Sequence, residues 1–293
     1  MYSLFKSIDK FFCELEGKTQ DSPQFLNGVS LTHGSLFSGA GGFELGAHKA
    51  GIQTLWSCEI EPDCRALLKR YFPHTKQYSN IISMNNPAYV DIISGGFPCQ
   101  DISIANNRNN DTKTKGIKGE RSGLWREMFR IISQVKPKYA IIENSPLLTK
   151  RGLEFVIQDL SKIGYCLEWQ TLSARMFGFP HIRRRFYAIA YPEQSRCGGT
   201  NEVFAEFQKL LPKEAPRQNI VPRNFERFNA NSNFKHVRID DEFPKKLDER
   251  HRRTIEMMGN AAMPIIAETL FKAIILHNER VDNPKKITQN KPN

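Results

Sequence analysis

The chain of 293 residues has little cysteine and no pattern in it. Its six cysteines are Cys13, Cys58, Cys64, Cys99, Cys166 and Cys197. No two form Cys-x-x-Cys and no Cys/His cluster has zinc spacing, so no metal site is expected. In a chain this long they read as reduced, mostly buried thiols of a cytoplasmic protein. Apolar runs long enough to span a bilayer are missing, which argues against membrane association. A secretory leader is missing as well: Lys6, Asp9 and Lys10 interrupt the first apolar stretch, and no small-residue cleavage site follows. No internal repeat is visible. Acid is scarce relative to base, with 31 Asp and Glu against 42 Lys and Arg and a net charge of +11. That balance points to a polyanionic partner, nucleic acid first, although a basic protein without such a partner would show the same charge. Hydrophobic residues make up 40% of the chain, which excludes wholesale disorder.

What is present is an alternation of element types. Residues 1–30 read as an N-terminal amphipathic helical extension, with Leu4, Phe5, Ile8, Phe11, Phe12 and Leu15 at helical spacing. From 31 to 191 strands alternate with helices. The strands are LTHGSLFSG, QTLWSCEIE, VDIISGGFP, YAIIENSP, YCLEWQTLSA and RRFYAIAY; between them lie FELGAHKAG, PDCRALLKRYF, GLWREMFRIISQVK and LEFVIQDLSKIG. This order predicts an α/β fold with a Rossmann-like, mostly parallel sheet covered on both faces. Residues 192–256, rich in Pro, Asn, Arg and Phe, read as a small irregular lobe. Residues 257–280 return as an apolar helix, and 281–293 form a polar tail.

Two strand ends describe a nucleoside site. Gly39, Gly41 and Gly42 lie between a strand and a helix, where glycines let backbone approach a ligand. The next strand ends at Glu59, eighteen residues after Gly41, where a carboxylate can accept the hydroxyls of a ribose. Alone this does not separate NAD from S-adenosylmethionine, and a tight structural turn competes for the glycines. The third glycine of a dinucleotide loop is replaced by Glu44.

Three further strand ends carry reactive groups. Cys99 follows an apolar run and Gly95-Gly96-Phe97-Pro98, which places it at the carboxyl end of a central strand, where open α/β sheets bind ligands. A nucleophilic cysteine needs its thiolate favoured, and nearby positive charge does that. Arg183 and Arg185 share one face at the start of a buried strand. Glu143 and Asn144 end another apolar strand. A carboxyl there is costly unless paired or used, and burial raises its pKa towards proton donation at neutral pH. The Asn144 amide can hold the loop that carries Cys99.

With these motifs in order, the chain resembles the bacterial and phage-type DNA (cytosine-5) methyltransferases. Phe37-Ser38-Gly39-Ala40-Gly41-Gly42 matches the family's cofactor motif and Pro98-Cys99-Gln100 its nucleophile motif. Glu143-Asn144, Arg183-x-Arg185 and Gly259-Asn260-Ala261 match the later ones. The resemblance implies S-adenosyl-L-methionine as cofactor and S-adenosyl-L-homocysteine as product. It implies addition of Cys99 to C6 of a flipped-out cytosine and methylation at C5. Glu143 would contact N3 and the exocyclic amine, with Arg183 and Arg185 positioning the base. Phe37, Ser38, Gly39, Gly41, Gly42, Glu59, Ile60, Asn80, Ile81, Pro98, Leu124, Asn260 and Ala261 would surround the cofactor. Three positions depart from the family pattern: Asn80 stands where an acid is frequent, His181 where Gln is usual, and Ser145 where Val is common.

The resemblance assigns residues 192–256 to target recognition on double-stranded DNA. Residues 209–238 hold seven Lys or Arg against two Asp or Glu, interleaved with Phe225, Phe228 and Phe234. Arg217, Arg223, Arg227, Lys235 and Arg238 are expected to face DNA, with Gln100 and Ser103 beside the nucleophile. Residues 106–126 carry six Lys or Arg against two Asp or Glu and read as a basic flap that closes on DNA. The expected partner is duplex DNA, with the chain a monomer; it belongs to a restriction–modification system with a cognate restriction endonuclease or is an orphan or phage methylase, and the sequence leaves both open. The alternative is a transfer-RNA cytosine-5 methyltransferase sharing the catalytic set; the Cys-Phe-Thr signature of that branch is absent from the matching region.

Overall fold

The computed structural model describes residues 31–98, 123–179, 183–196, 202–212 and 262–283. Seven strands form one sheet: β1 (Thr32–Leu36), β2 (Gln53–Cys58), β3 (Lys76–Tyr78), β4 (Ile92–Gly96), β5 (Tyr139–Asn144), β6 (Tyr165–Ser173) and β7 (Arg184–Pro192). Their order is β3-β2-β1-β4-β5-β7-β6. Pairings from β3 through β5 are parallel, whereas β7 runs antiparallel to both β5 and β6. The mostly parallel α/β sheet expected from the alternation is therefore the observed one.

The strands read as continuous apolar runs because both faces are covered. In β5, Ala140 and Ile142 enter one core with Trp125, Met128 and Ile132 of helix α3 (Leu124–Val135) and Val156 and Leu160 of α5 (Leu153–Lys162). Tyr139 and Ile141 enter the opposite core with Phe43 and Ala47 of α1 (Gly42–Lys49) and Phe271 and Ile274 of α7 (Pro264–Asp282). Helix α2 (Pro62–Tyr71) opens on Pro62, whose missing N–H costs nothing at a first turn. The short α4 (Leu148–Arg151) leads into α5.

One part of the expected recognition lobe is not lobe-like. Residues 202–210 form helix α6 (Glu202–Leu210), and Val203, Phe204 and Phe207 are fully buried in the same core as α7. Glu168 of β6 accepts hydrogen bonds from the Val203 and Phe204 amides at 2.9 and 3.2 Å, satisfying donors at the start of α6. Glu202 meets His277 of α7 at 2.9 Å, and His277 bonds the Tyr139 hydroxyl at 2.8 Å. Within the span expected for the lobe, residues 202–210 thus pack on the same side of the sheet as α7. The remaining expectations for 213–256, for the extension 1–30 and for most of the tail lie outside the described residues.

Candidate active site

The reversed direction of β7 decides what meets at the sheet's carboxyl edge. Parallel strands β4 and β5 end there, and antiparallel β7 begins there. Glu143 pairs with Tyr187, and Gly96 at the end of β4 pairs with Glu143. Arg185, two residues before Tyr187, therefore stands beside the exit of β5. Its Nε lies 3.2 Å from Glu143 Oε1. Gly96 makes the room: a Cβ there would stand 2.6 Å from Glu143 Oε2.

Glu143 is 8% exposed. Burial pushes its carboxyl up to about 7, against the opposing pull of Arg185 and then Arg183. The Arg183 guanidinium is lowered, first by burial and then by Arg185. The cluster therefore holds two guanidinium groups against one carboxyl that exchanges its proton near neutrality. Asn144 is buried beside it. Its Nδ2 donates to the Phe97 carbonyl at 3.1 Å and its Oδ1 accepts from Ser145 N at 2.8 Å. That first bond anchors the chain two residues before Cys99. Pro98 is half-buried at the last described position of this segment. Cys99, Gln100 and Ser103 lie outside the described residues. Cys58 and Cys64 are buried thiols pushed up to about 12, mainly by burial, and are poor nucleophiles.

Across the edge, the turn after β1 forms a backbone cradle. Phe37 and Gly39 have left-handed φ of 53° and 54°. Such a backbone is unusual for phenylalanine and clusters at functional sites. No atom of the described residues lies within 4 Å of a Cβ built on Gly39, so that side of the turn is open among them. Gly39 N donates to Glu59 Oε2 at 2.6 Å and Glu61 N to Glu59 Oε1 at 2.8 Å. These two bonds fix the carboxylate at the end of β2, and each oxygen keeps a lone pair for a ligand hydroxyl. Ile60 beside it is 63% exposed, an apolar face that a ligand's ring would cover. Ser38 is buried and its hydroxyl donates to Ser35 Oγ at 3.0 Å. The cradle therefore fits a nucleoside-bearing cofactor.

Other expected cofactor residues divide. Ile81 is buried and Leu124 is half-buried at the start of α3. Asn80 turns its Oδ1 to Ile82 N at 2.9 Å, so its side chain is engaged in its own loop. Gly42 serves packing: a Cβ on it would meet the Ala262 carbonyl oxygen at 2.1 Å, so this glycine lets α1 press against the segment entering α7. Asn260 and Ala261 lie outside the described residues, as do Arg217, Arg223, Arg227, Lys235 and Arg238. Sequence reasoning missed Arg130. From α3 it donates to the carbonyls of Ile81 at 2.7 Å and Met84 at 2.9 Å, braced by Glu127 at 2.8 Å. The Glu127–Arg130 spacing on one helix face was the available signal. Among the described residues no His, Cys, Asp or Glu group is arranged to hold a metal, and no helix is long and apolar enough to cross a membrane.

The family model for C-5 cytosine-specific DNA methylase matches residues 31–272. The chain is 35% identical over 164 residues to Type II methyltransferase M2.BsuMI of Bacillus subtilis (strain 168), covering 53% of this chain and 41% of that protein. It is 31% identical over 205 residues to Type II methyltransferase M1.HphI of Haemophilus parahaemolyticus, covering 62% and 54%. The chain thus matches about half the length of such relatives. Among solved structures, S. pombe Dnmt2 methyltransferase superposes with a TM-score of 0.54 at 15% identity, covering 87% of this chain and 99% of that one, which supports the fold.

Proposed function

Because the chain belongs to the C-5 cytosine-specific DNA methylase family, we propose that it is a DNA (cytosine-5-)-methyltransferase acting on a specific duplex sequence. The observation that carries the reading is the buried Glu143 carboxyl, poised near neutrality beside Arg185 and one residue from the anchor of the Cys99 segment.

C5 of cytosine is a weak nucleophile. In this reading the Cys99 thiolate forms a bond to C6 of a cytosine swung out of the duplex, which makes C5 enamine-like. S-adenosyl-L-methionine, when bound, supplies an electrophilic methyl group and leaves as S-adenosyl-L-homocysteine. C5 takes the methyl group, a base removes the C5 proton, the sulfur–C6 bond breaks, and the aromatic ring is restored. Glu143 in its protonated form donates to N3 and takes up charge that builds on the ring as sulfur adds. Arg185 holds that carboxyl in place, and Arg183 adds positive charge at the same edge. Asn144 fixes the backbone that delivers the nucleophile. Glu59, Gly39 and Phe37 would hold the cofactor's nucleoside, with Ile60 and Ile81 against its base.

Relatives named as Type II methyltransferases support a place in a restriction–modification system; in this reading the chain acts on DNA in the cytoplasm as a monomer, with a cognate endonuclease as partner. The test is methyl transfer by the full chain to duplex DNA and to transfer RNA, followed by bisulfite mapping of modified DNA. Methylation of one recurrent cytosine context in DNA is expected. Transfer to transfer RNA alone would refute the proposal.

A further inference from the structure

Glu44 is a glutamate where a dinucleotide loop has its third glycine, and the mechanism above does not use it. It sits in the first turn of α1 with 0% exposure. Neither carboxylate oxygen makes a hydrogen bond of full geometry among the described residues, although the nearby Ser38 and Ser35 hydroxyls partly offset the burial that raises the carboxyl, and the buried Ser57 hydroxyl is likewise unpartnered. Ser57 pairs across the sheet with Ser35, whose hydroxyl accepts from Ser38. Glu44 Oε2 lies 3.9 Å from where a Gly41 Cβ would stand, so the carboxyl backs directly onto the Gly-rich turn. A buried carboxyl held only by weak hydroxyl contacts is costly, and an apolar side chain would fill the space without that cost.

Among the described residues the surroundings supply no cation. From β1 and its turn come the Ser35 and Ser38 hydroxyls, and from the end of β2 comes Glu59, a second negative charge. Leu68 and Phe72 line Gly41 from the α2 side, and α7 and its approach press Ala262 and Ala267 against α1. Two carboxyl groups flank one turn that is open towards the ligand side at Gly39. A bound cation would relieve both.

We propose that Glu44 is the buried counter-charge for the cationic methyl donor, ionising as the donor binds behind the Gly-rich turn. The inference rests on the reading of this cradle as an S-adenosylmethionine site. The donor carries a sulfonium and an ammonium against a single carboxylate, whereas the product has lost the sulfonium charge. A fixed negative charge in a poorly solvated wall therefore favours donor over product, and helps the spent cofactor leave. In the free protein Glu44 is raised to about 7, chiefly by burial, so donor binding expels a proton and affinity rises with pH up to that value.

The experiment is titration calorimetry of the full chain with S-adenosylmethionine and with S-adenosylhomocysteine, between pH 6 and 8, in buffers of different protonation enthalpy. Wild type should release a proton on binding the donor below pH 7. Glu44→Gln should weaken the donor about tenfold at pH 8, weaken the product about threefold or less, and abolish that release. Wild-type donor affinity with wild-type proton release in Glu44→Gln would overturn the inference, as would equal weakening of donor and product. If the variant does not fold, absence of proton release in the wild type alone overturns it. A wild type that binds neither ligand refutes the cofactor reading itself, an outcome distinct from these.

Discussion

Replacing Glu143 by glutamine should stabilise the free protein in alkaline solution while destroying its activity. The carboxyl is raised to about 7 by burial, against an ordinary value of 4.5. A group raised in the folded state contributes its full stability below the unfolded value and loses it as pH climbs through the folded one. Between pH 4.5 and 7 the wild type therefore gives up about 3 kcal/mol that a neutral glutamine keeps. The value of about 7 already includes the opposing pull of Arg185 and Arg183, so burial alone would raise the carboxyl further. For a domain of this size the gap corresponds to a melting-temperature difference of about 5–10 °C. Thermal melts of both proteins from pH 5 to 8, without cofactor or DNA, read it directly. The curves should nearly coincide at pH 5 and separate with glutamine the more stable at pH 8. A gap that does not change with pH, or a less stable variant at pH 8, refutes the reasoning.

Cys99→Ala should abolish methyl transfer and leave cofactor affinity within about twofold by calorimetry, since only the bond to C6 is lost. Gly96→Ala sets a methyl group 2.6 Å from Glu143 Oε2 and should lower kcat about a hundredfold by displacing the carboxyl, with an intact far-ultraviolet circular dichroism spectrum. Arg185→Ala removes the larger of the two charges that hold the Glu143 pKa down, so the alkaline limb of the pH–kcat profile should move to higher pH; a profile unchanged in position would sink the assigned coupling.

Which parts of this site were legible in the chain follows from what each feature depends on. Strands buried on both faces announce themselves as apolar runs, and Glu143 stood out because a carboxyl closed one. The cradle was legible from Gly39 and Glu59 at successive strand ends. Strand direction was not. Arg183 and Arg185 read as a rim, but side-chain alternation is the same whichever way a strand runs, so their meeting with Glu143 had to come from the pairing of β7 with β5. Helix α6 escaped notice because Glu202 and Glu206 suggest a surface, yet both are buried. Glu202 is matched by His277, and Glu206 by Lys209 and Arg280. Gly42 was legible as part of a contiguous glycine motif; its close approach to Ala262, distant in sequence, was not. Arg130 could be paired with Glu127 from their helical spacing, but its bonds to the Ile81 and Met84 carbonyls of another loop could not be read locally.

The contact of Gly42 and Gly46 with Ala262 and Ala267 has a consequence for how the protein is made. Synthesis runs from the amino end, so the turn that would cradle the cofactor leaves the ribosome long before the helix that backs it. Until α7 arrives, Phe43 and Ala47 have no Phe271 or Ile274 to bury against, and the first turn of α1 stays unsupported. Glycines at the crossing keep that late docking free of steric obstruction. A nascent chain stalled before residue 262 should expose this apolar face to chaperones and leave the turn after β1 without its backing helix.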